Sequence, residues 1–128
     1  MTTLIDRLAA IEPGSPLDSS FAARAEARAQ AELSYQLLLH PAEPGAVSLP
    51  ERHAVAAFVA VLHDQPQARD HYTTLLHRSA APDLAAVVLR EAEGARTSGP
   101  YGHFPKGPLT VEDRAGLVYR PSTGVRAV

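Results

Sequence analysis

The chain has 128 residues, a formal net charge of −2 at pH 7 and 45% hydrophobic residues. This length suits one domain with a single core, and the scattered Arg, Asp and Glu residues form no basic footprint for nucleic acid. The absence of cysteine excludes disulfides, catalysis by a thiolate of this chain and cysteine-ligated metal. Residues 1–10 lack the apolar run of a signal peptide, so we expect a cytoplasmic protein.

Helical spacing of apolar residues begins near the N-terminus. Leu4, Ile5, Leu8 and Ile11 predict a short amphipathic helix that Thr2 or Thr3 caps. After a connector over residues 15–18, a long helix is predicted from near Asp18 to His40, because Ala, Arg, Glu and Gln dominate this segment and favour helix. Its expected core stripe consists of Ala27, Ala31, Tyr35 and Leu38.

The chain is organised around residues 48–76. Ser48 and Glu51 have the spacing of a capping box at a helix start. Residues 54–62 (AVAAFVAVL) are apolar all round, which predicts a helix buried on most faces. Pro66 then indicates a tight corner, and a second helix carries one stripe made of Ala68, His71, Tyr72, Leu75 and Leu76. We expect two packed helices joined by a short connection.

A last helix is predicted from Asp83, with Leu84, Val87, Val88, Glu91 and Ala95 on one face. Residues 98–128 are rich in Gly and Pro but keep apolar and aromatic residues, so we expect an extended irregular arm that docks on its own core or on a neighbouring subunit. The predicted organisation is therefore an all-α, compact helical domain of about five helices over residues 1–97, followed by a C-terminal arm over residues 98–128.

The central stretch also carries a family resemblance. An Ala/Val-rich helix that opens with Leu-Pro-Glu-Arg, then a corner and a histidine-bearing helix, resembles the carboxymuconolactone decarboxylase and alkyl hydroperoxidase D-like superfamily. The peroxidase branch of that superfamily has a glutamate, a Cys-x-x-Cys pair and a histidine. Counted from Glu51, the two cysteine positions fall on His63 and Pro66 and the histidine position on Asp70, with His71 one residue later. The segments DRLAAIEPGSPLD and GPYGHFP also resemble a subgroup of this superfamily.

The resemblance implies a domain in the alkyl hydroperoxidase D-like style, a trimer or hexamer, and a site with Glu51 as proton-relay acid and His63 at the position of the first thiol. Without thiols, the chain has no thiol peroxidase activity of its own. A separate thiol-bearing peroxidase-like protein is one possible partner. No nucleic acid or membrane partner is expected.

Three residues are candidate catalytic groups, each with a simpler structural role beside it. Glu51 is either a proton-relay acid or a helix cap, and the cap accounts for it fully. His63 either faces a cavity or caps the C-terminus of its helix. His71 is either a sheltered base, with Glu51 or Asp70 as partner, or a structural residue of the helical core.

The other histidines and the possible metal ligands give weaker indications of a functional site. His40, His53 and His103 are interpreted as surface or loop residues. His63, His71 and His77 with Asp64 or Asp70 are adequate metal ligands, but no histidine pair has the i,i+4 spacing of a helical metal motif, so no metal is predicted. No cofactor motif is present, and none is expected.

Two functions follow from these observations. The first is an oligomeric ligand-binding or assembly module without thiol peroxidase activity. The alternative is an acid/base enzyme of the lactone decarboxylase kind, which would act on a small organic acid through Glu51, His63 and His71, with Arg52 or Arg69 holding the substrate carboxylate.

Overall fold

The computed structural model describes residues 3–99 and 101–126. The α-helices are α1 (Leu4–Leu8), α2 (Pro16–Ala22), α3 (Ala25–Leu39), α4 (Leu49–Leu62), α5 (Pro66–Ser79), α6 (Pro82–Ala95) and α7 (Thr123–Arg126), and a 3-10 helix spans Pro108–Glu112. The described residues form no strand, and their one isolated bridge joins Gly102 and Arg114. The predicted all-α class is confirmed, with an irregular C-terminal arm after α6.

The start of α4 and the corner after it form as predicted. The Ser48 hydroxyl accepts the Glu51 N–H, and the Glu51 carboxylate accepts the Ser48 N–H at 2.7 Å, which completes the capping box. Asp64 adopts a left-handed conformation at the corner, with φ of 52°, which a short polar side chain tolerates. Pro66 is the first residue of α5, where its missing N–H costs no hydrogen bond. The resulting α4–α5 hairpin is the most extensive contact between two helices in the described part of the chain.

The central core lies between α4, α5 and α6. Ala57 and Ala85 are fully buried there together with Leu76. Alanines at these contacts let the helix backbones approach closely, so a chain with few aromatic residues still excludes water from its centre. A second cluster joins α1, α3 and α5 through Leu4, Tyr35, Leu39 and Leu75.

The predicted long helix from Asp18 to His40 is wrong, because it is two helices. Ser15 caps an earlier start at Pro16, and the chain breaks at Arg24, whose φ of −122° and ψ of 46° lie outside the helical region. The break lets Arg28 of α3 contact both Asp6 of α1, at 2.8 Å, and Asp18 of α2, at 2.9 Å. The ion pairs thus tie the three N-terminal helices together.

Two burial predictions also need correction. In α3 the buried residues are Tyr35 and Leu39, whereas Leu38 is 60% exposed. In α4 an apolar stripe stays uncovered, since Val55, Val59 and Leu62 are 62%, 44% and 39% exposed. The neighbouring helices of one chain reach only part of the surface of α4. We call Val55, Val59 and Leu62 the α4 stripe.

The C-terminal arm lies on its own core. One carboxylate oxygen of Glu91 on α6 accepts the Tyr119 hydroxyl at 3.0 Å and the Ser122 N–H at 3.1 Å. The Tyr119 ring also meets Phe58 of α4 edge to face, with centroids 6.3 Å apart. Elsewhere the arm is open, because Val111 and Val118 are 88% and 75% exposed. In the described part of the chain, no helix combines the length and apolar character needed to cross a membrane.

Candidate functional site

A groove of about 460 Å³ lies where α1, α3, α4 and α5 meet, at the boundary between the two core clusters. We call it the α3–α5 groove. Its apolar walls include Ile5, Ala31, Leu38, Ala56, Val59 and Ala68. Its polar lining consists of Tyr35, Tyr72, His63 and Gln65, and no Asp, Glu, Lys or Arg among the described residues lines it. Small-molecule sites have this character, a largely apolar concavity with a few polar groups.

Tyr35 joins this groove to a pair of histidines. Its buried side chain comes from α3, and its hydroxyl lies 2.9 Å from His40 Nε2 and 2.9 Å from His71 Nε2. His40 follows the last residue of α3, and His71 lies on α5, so the phenol holds the C-terminal end of α3 against α5.

The single proton of the Tyr35 hydroxyl restricts the two imidazoles. The hydroxyl can donate to only one Nε2 atom, so the other Nε2 must carry a proton and donate to the phenol oxygen. At least one of His40 and His71 therefore carries a proton on Nε2 while both contacts are made. If both rings are charged, both Nε2 atoms are donors and the Tyr35 proton has no acceptor between them.

Burial shifts the pKa values in this cluster so that the neutral form of each group is favoured. The pKa of His71 is lowered, first by burial and then by the positive charge of Arg7 and by His40. Burial also raises the pKa values of Tyr35 and Tyr72. The groove therefore contains two neutral phenols at physiological pH, with a largely uncharged imidazole behind one of them.

His53 was predicted to lie on the surface, and this is wrong. It is 4% exposed, and its Nε2 lies 2.9 Å from the Leu39 carbonyl while its Nδ1 lies 2.8 Å from the Ser79 hydroxyl. Because a carbonyl only accepts, Nε2 carries a proton. The signal was present in the sequence, since His53, Ala57 and Val61 follow the i, i+4, i+8 spacing of one buried helix face.

Glu51 lies at a different place from the groove. It is exposed and lines a separate cavity of about 490 Å³ between α4 and α6. Its hydrogen bonds to the Ser48 hydroxyl and N–H lower the pKa of its carboxyl group. A carboxylate held in a cap and stabilised in its charged form is a poor proton donor.

His63 and His71 are near the groove but differ in position. His63 is the exposed C-cap residue of α4 and lies at the rim of the groove, whereas His71 contacts Tyr35 behind it. Asp70, considered as a partner of His71, pairs instead with Arg69 at 3.2 Å. Glu51 thus lines the cavity between α4 and α6, His63 lies at the rim of the α3–α5 groove, and His71 belongs to the hydrogen-bonded cluster around Tyr35. The structure does not bring the three candidate residues together.

The cationic groups suggested for a substrate carboxylate are occupied. The Arg52 guanidinium donates to the carbonyls of Val47, Leu38 and Pro44 at 2.9–3.0 Å, and so fixes the loop between α3 and α4. Arg69 is paired with its neighbour Asp70. Within residues 3–99 and 101–126, no group of three or more His, Cys, Asp or Glu side chains is arranged to hold a metal ion.

Comparison with protein-family models, curated proteins and solved structures finds no match for this chain.

Proposed function

We propose that this protein is an oligomeric module that binds a small, mainly apolar molecule in the α3–α5 groove and performs no thiol chemistry of its own. The observation that carries this proposal is the composition of the groove: apolar walls, two neutral phenols and no lining charge among the described residues. The volume of about 460 Å³ falls in the range of small-molecule sites.

Membership of the carboxymuconolactone decarboxylase and alkyl hydroperoxidase D-like superfamily, as a cysteine-less member, is part of the same proposal. It is supported by the α4–α5 hairpin with its Ser48–Glu51 cap and the short corner at Pro66. A cytoplasmic location and a possible thiol-bearing partner protein also belong to this proposal. The absence of cysteine means that any peroxidase chemistry would come from that partner.

Self-association is favoured by a second observation. The α4 stripe and the exposed Leu33, Leu37 and Leu38 of α3 are large apolar side chains in contact with solvent. Val59 and Leu38, one from each set, both line the α3–α5 groove, so the exposed surface is continuous with it. Extended apolar surface of this kind marks an interaction site, and a second copy of the chain is the simplest partner for it.

The acid/base enzyme of the lactone decarboxylase kind is less well supported. It requires Glu51, His63 and His71 to meet around one substrate, and it requires a cation for the carboxylate. Glu51 is held in its cap away from the groove, and Arg52, which does not line the groove, donates three of its five N–H groups to backbone carbonyls. We therefore place ligand binding ahead of catalysis.

Ligand binding is tested with N-phenyl-1-naphthylamine, a neutral dye that fluoresces in apolar surroundings. We expect the full chain to bind it saturably, and Ala68→Phe to weaken binding by tenfold or more, since Ala68 lines the groove and a phenyl ring would fill it. Ala86→Phe, at an exposed position of α6, is the matched control and should bind normally. Equal binding by both variants, or no saturable binding at all, would contradict the proposal.

Self-association is tested by sedimentation velocity. We expect the wild-type chain to sediment as an oligomer and Val55→Glu to shift it to the monomer, since this change places a charge on the α4 stripe. Ala86→Glu adds the same charge at an exposed position elsewhere and should leave the oligomer intact. A wild-type chain that sediments as a monomer at all concentrations would rule out this part of the proposal.

A further inference from the structure

We propose that Tyr72 selects the ligand, by donating a hydrogen bond from its hydroxyl to a carbonyl-type acceptor on an otherwise apolar, uncharged molecule. This inference rests on the proposed binding role of the α3–α5 groove. It adds the chemical class of the ligand and the residue that distinguishes this class from a plain hydrocarbon.

The uncharged character of the ligand follows from the lining. None of the described residues that form the groove is acidic or basic, apart from His63 at its exposed rim. A carboxylate or ammonium group would lose its hydration in such a groove without gaining a partner, which is strongly unfavourable. Three of the five N–H groups of Arg52 donate to backbone carbonyls, and Arg52 does not line the groove.

The donors that line the groove determine which hydrogen-bonding group the ligand carries. The Tyr35 hydroxyl is engaged on both sides by His40 and His71. The hydroxyl of Tyr72 makes no hydrogen bond to any residue in the described ranges 3–99 and 101–126, although its side chain is half-buried and packs against both core clusters. The Tyr72 hydroxyl is therefore free to donate to a ligand group in the groove, and the apolar packing around its ring strengthens that hydrogen bond.

The remaining polar groups of the groove lining distinguish less between ligands with and without a hydrogen-bond acceptor. His63 and Gln65 are exposed at the rim, where water already satisfies them. A ligand group that contacts them exchanges one hydrogen bond for another of similar strength. The neutral state of Tyr72 also matters: because burial raises the pKa of Tyr72, the phenol stays protonated over the whole physiological pH range and keeps its O–H donor.

The experiment uses three small aromatic probes of nearly equal shape in competition with N-phenyl-1-naphthylamine on the full chain. Acetophenone carries a carbonyl, α-methylstyrene replaces its oxygen by a methylene group, and benzoate carries a negative charge. After correction for their different transfer free energies from water to an alkane, we expect acetophenone to bind about 2- to 12-fold more tightly than α-methylstyrene, the range for one neutral hydrogen bond. Benzoate should bind most weakly.

The variants assign this preference to one hydroxyl group. In Tyr72→Phe the corrected preference for acetophenone should disappear while α-methylstyrene binds as before. Tyr101→Phe is the matched control; it removes the hydroxyl of a tyrosine that lies on the C-terminal arm and outside the groove lining, so it should keep the preference. The folding of both variants is checked by circular dichroism.

The outcomes separate the two proposals. If the dye binds but the wild-type chain shows no corrected preference between acetophenone and α-methylstyrene, the role of Tyr72 is wrong and the binding function stands; this comparison needs no variant. A preference that survives in Tyr72→Phe, or tight binding of benzoate, would also overturn the inference. If neither the dye nor any probe binds, the proposed function itself fails.

Discussion

The two halves of the helical domain are held together in different ways. Residues 49–95, which form α4, α5 and α6, pack through small buried side chains such as Ala57, Ala85 and Ala92, all fully buried. Residues 4–39, which form α1, α2 and α3, are joined by a polar network in which Arg28 contacts Asp6 and Asp18. Residues 49–95 therefore form an apolar core. Residues 4–39 are tied to one another by ion pairs and packed against α5 through Leu4, Tyr35 and Leu39.

This difference explains the position of the groove. Ala57 and Ala85 pack together in the buried core between α4 and α6, away from the cavity near Glu51. In contrast, α3 is fixed at its ends, by Arg28 near its start and by Tyr35 and His40 near its end. Between these points α3 contributes Ala31, a residue too small to fill the space towards α4 and α5. The groove is thus the gap left where the ion-paired N-terminal helices meet the apolar core.

The largest effect is expected from a cavity in the apolar half. Leu76 is fully buried at the centre of α4, α5 and α6, so Leu76→Ala should lower the free energy of unfolding by about 2–5 kcal/mol. Urea denaturation followed by circular dichroism measures this loss. Leu37→Ala removes the same atoms from a side chain that is 61% exposed and should cost far less; equal losses would show that the α4–α6 centre is not the main core.

A smaller effect is expected in the polar half. Asp6 is 1% exposed and holds Arg28 and the Thr3 N–H, whereas Asp18 holds the same arginine with a side chain that is 26% exposed. Asp6→Asn should therefore destabilise the chain more than Asp18→Asn, though less than Leu76→Ala. Thermal unfolding of the two variants checks this order, and the reverse order would mean that the ion pairs do not organise α1.

The same network makes the polar half sensitive to acid. Hydrogen bonds from Thr3 and Arg28 lower the pKa of Asp6, from an ordinary value of 3.8. A lowered pKa means that the carboxylate stabilises the fold fully above that value, and that this contribution is lost as the pH falls below it. The Asp6→Asn variant should lose less stability than the wild-type chain between pH 5 and pH 3, when both are compared by thermal unfolding.

The mildest effect is expected at His71. Its pKa is lowered from 6.5 by burial, by Arg7 and by His40, so the neutral ring stabilises the fold above pH 6.5 and this contribution declines as the pH falls through the lowered value. His40, Arg78 and His53 add positive charge around it, and Tyr35 is its hydrogen-bond partner. His71→Gln should flatten the loss of stability below pH 6.5, whereas His77→Gln, at an exposed position of the same helix, should not. An unchanged pH profile in His71→Gln would contradict this.

The α4–α5 hairpin could be predicted from sequence because its determinants are local. The capping box needs only Ser48 and Glu51, and the corner needs only Pro66. The break between α2 and α3 could not be predicted in the same way. The break is stabilised by long-range contacts, because Arg28 pairs with carboxylates on two other helices. The local composition alone favours a continuous helix.

The candidate site was predictable only in part. His71 was placed on the core-facing stripe of α5, which agrees with its half-buried position, but its partner Tyr35 comes from α3 and no sequence spacing connects the two. His53 had a visible signal in its spacing from Ala57, which the assignment to the surface overlooked. Contacts within one helix follow from periodicity, whereas contacts between helices depend on how the helices pack.

The most direct test of this account is an NMR titration of the ¹⁵N-labelled full chain with acetophenone. We predict saturable shifts in backbone amides from both sides of the groove: Ala31 and Leu38 of α3, Val59 of α4 and Ala68 of α5. Ala86 of α6, outside the groove, should not respond. Shifts centred on the separate cavity between α4 and α6, near Ala54 and Val87, or no saturable shifts at all, would contradict the claim that the boundary between the two halves is the binding site.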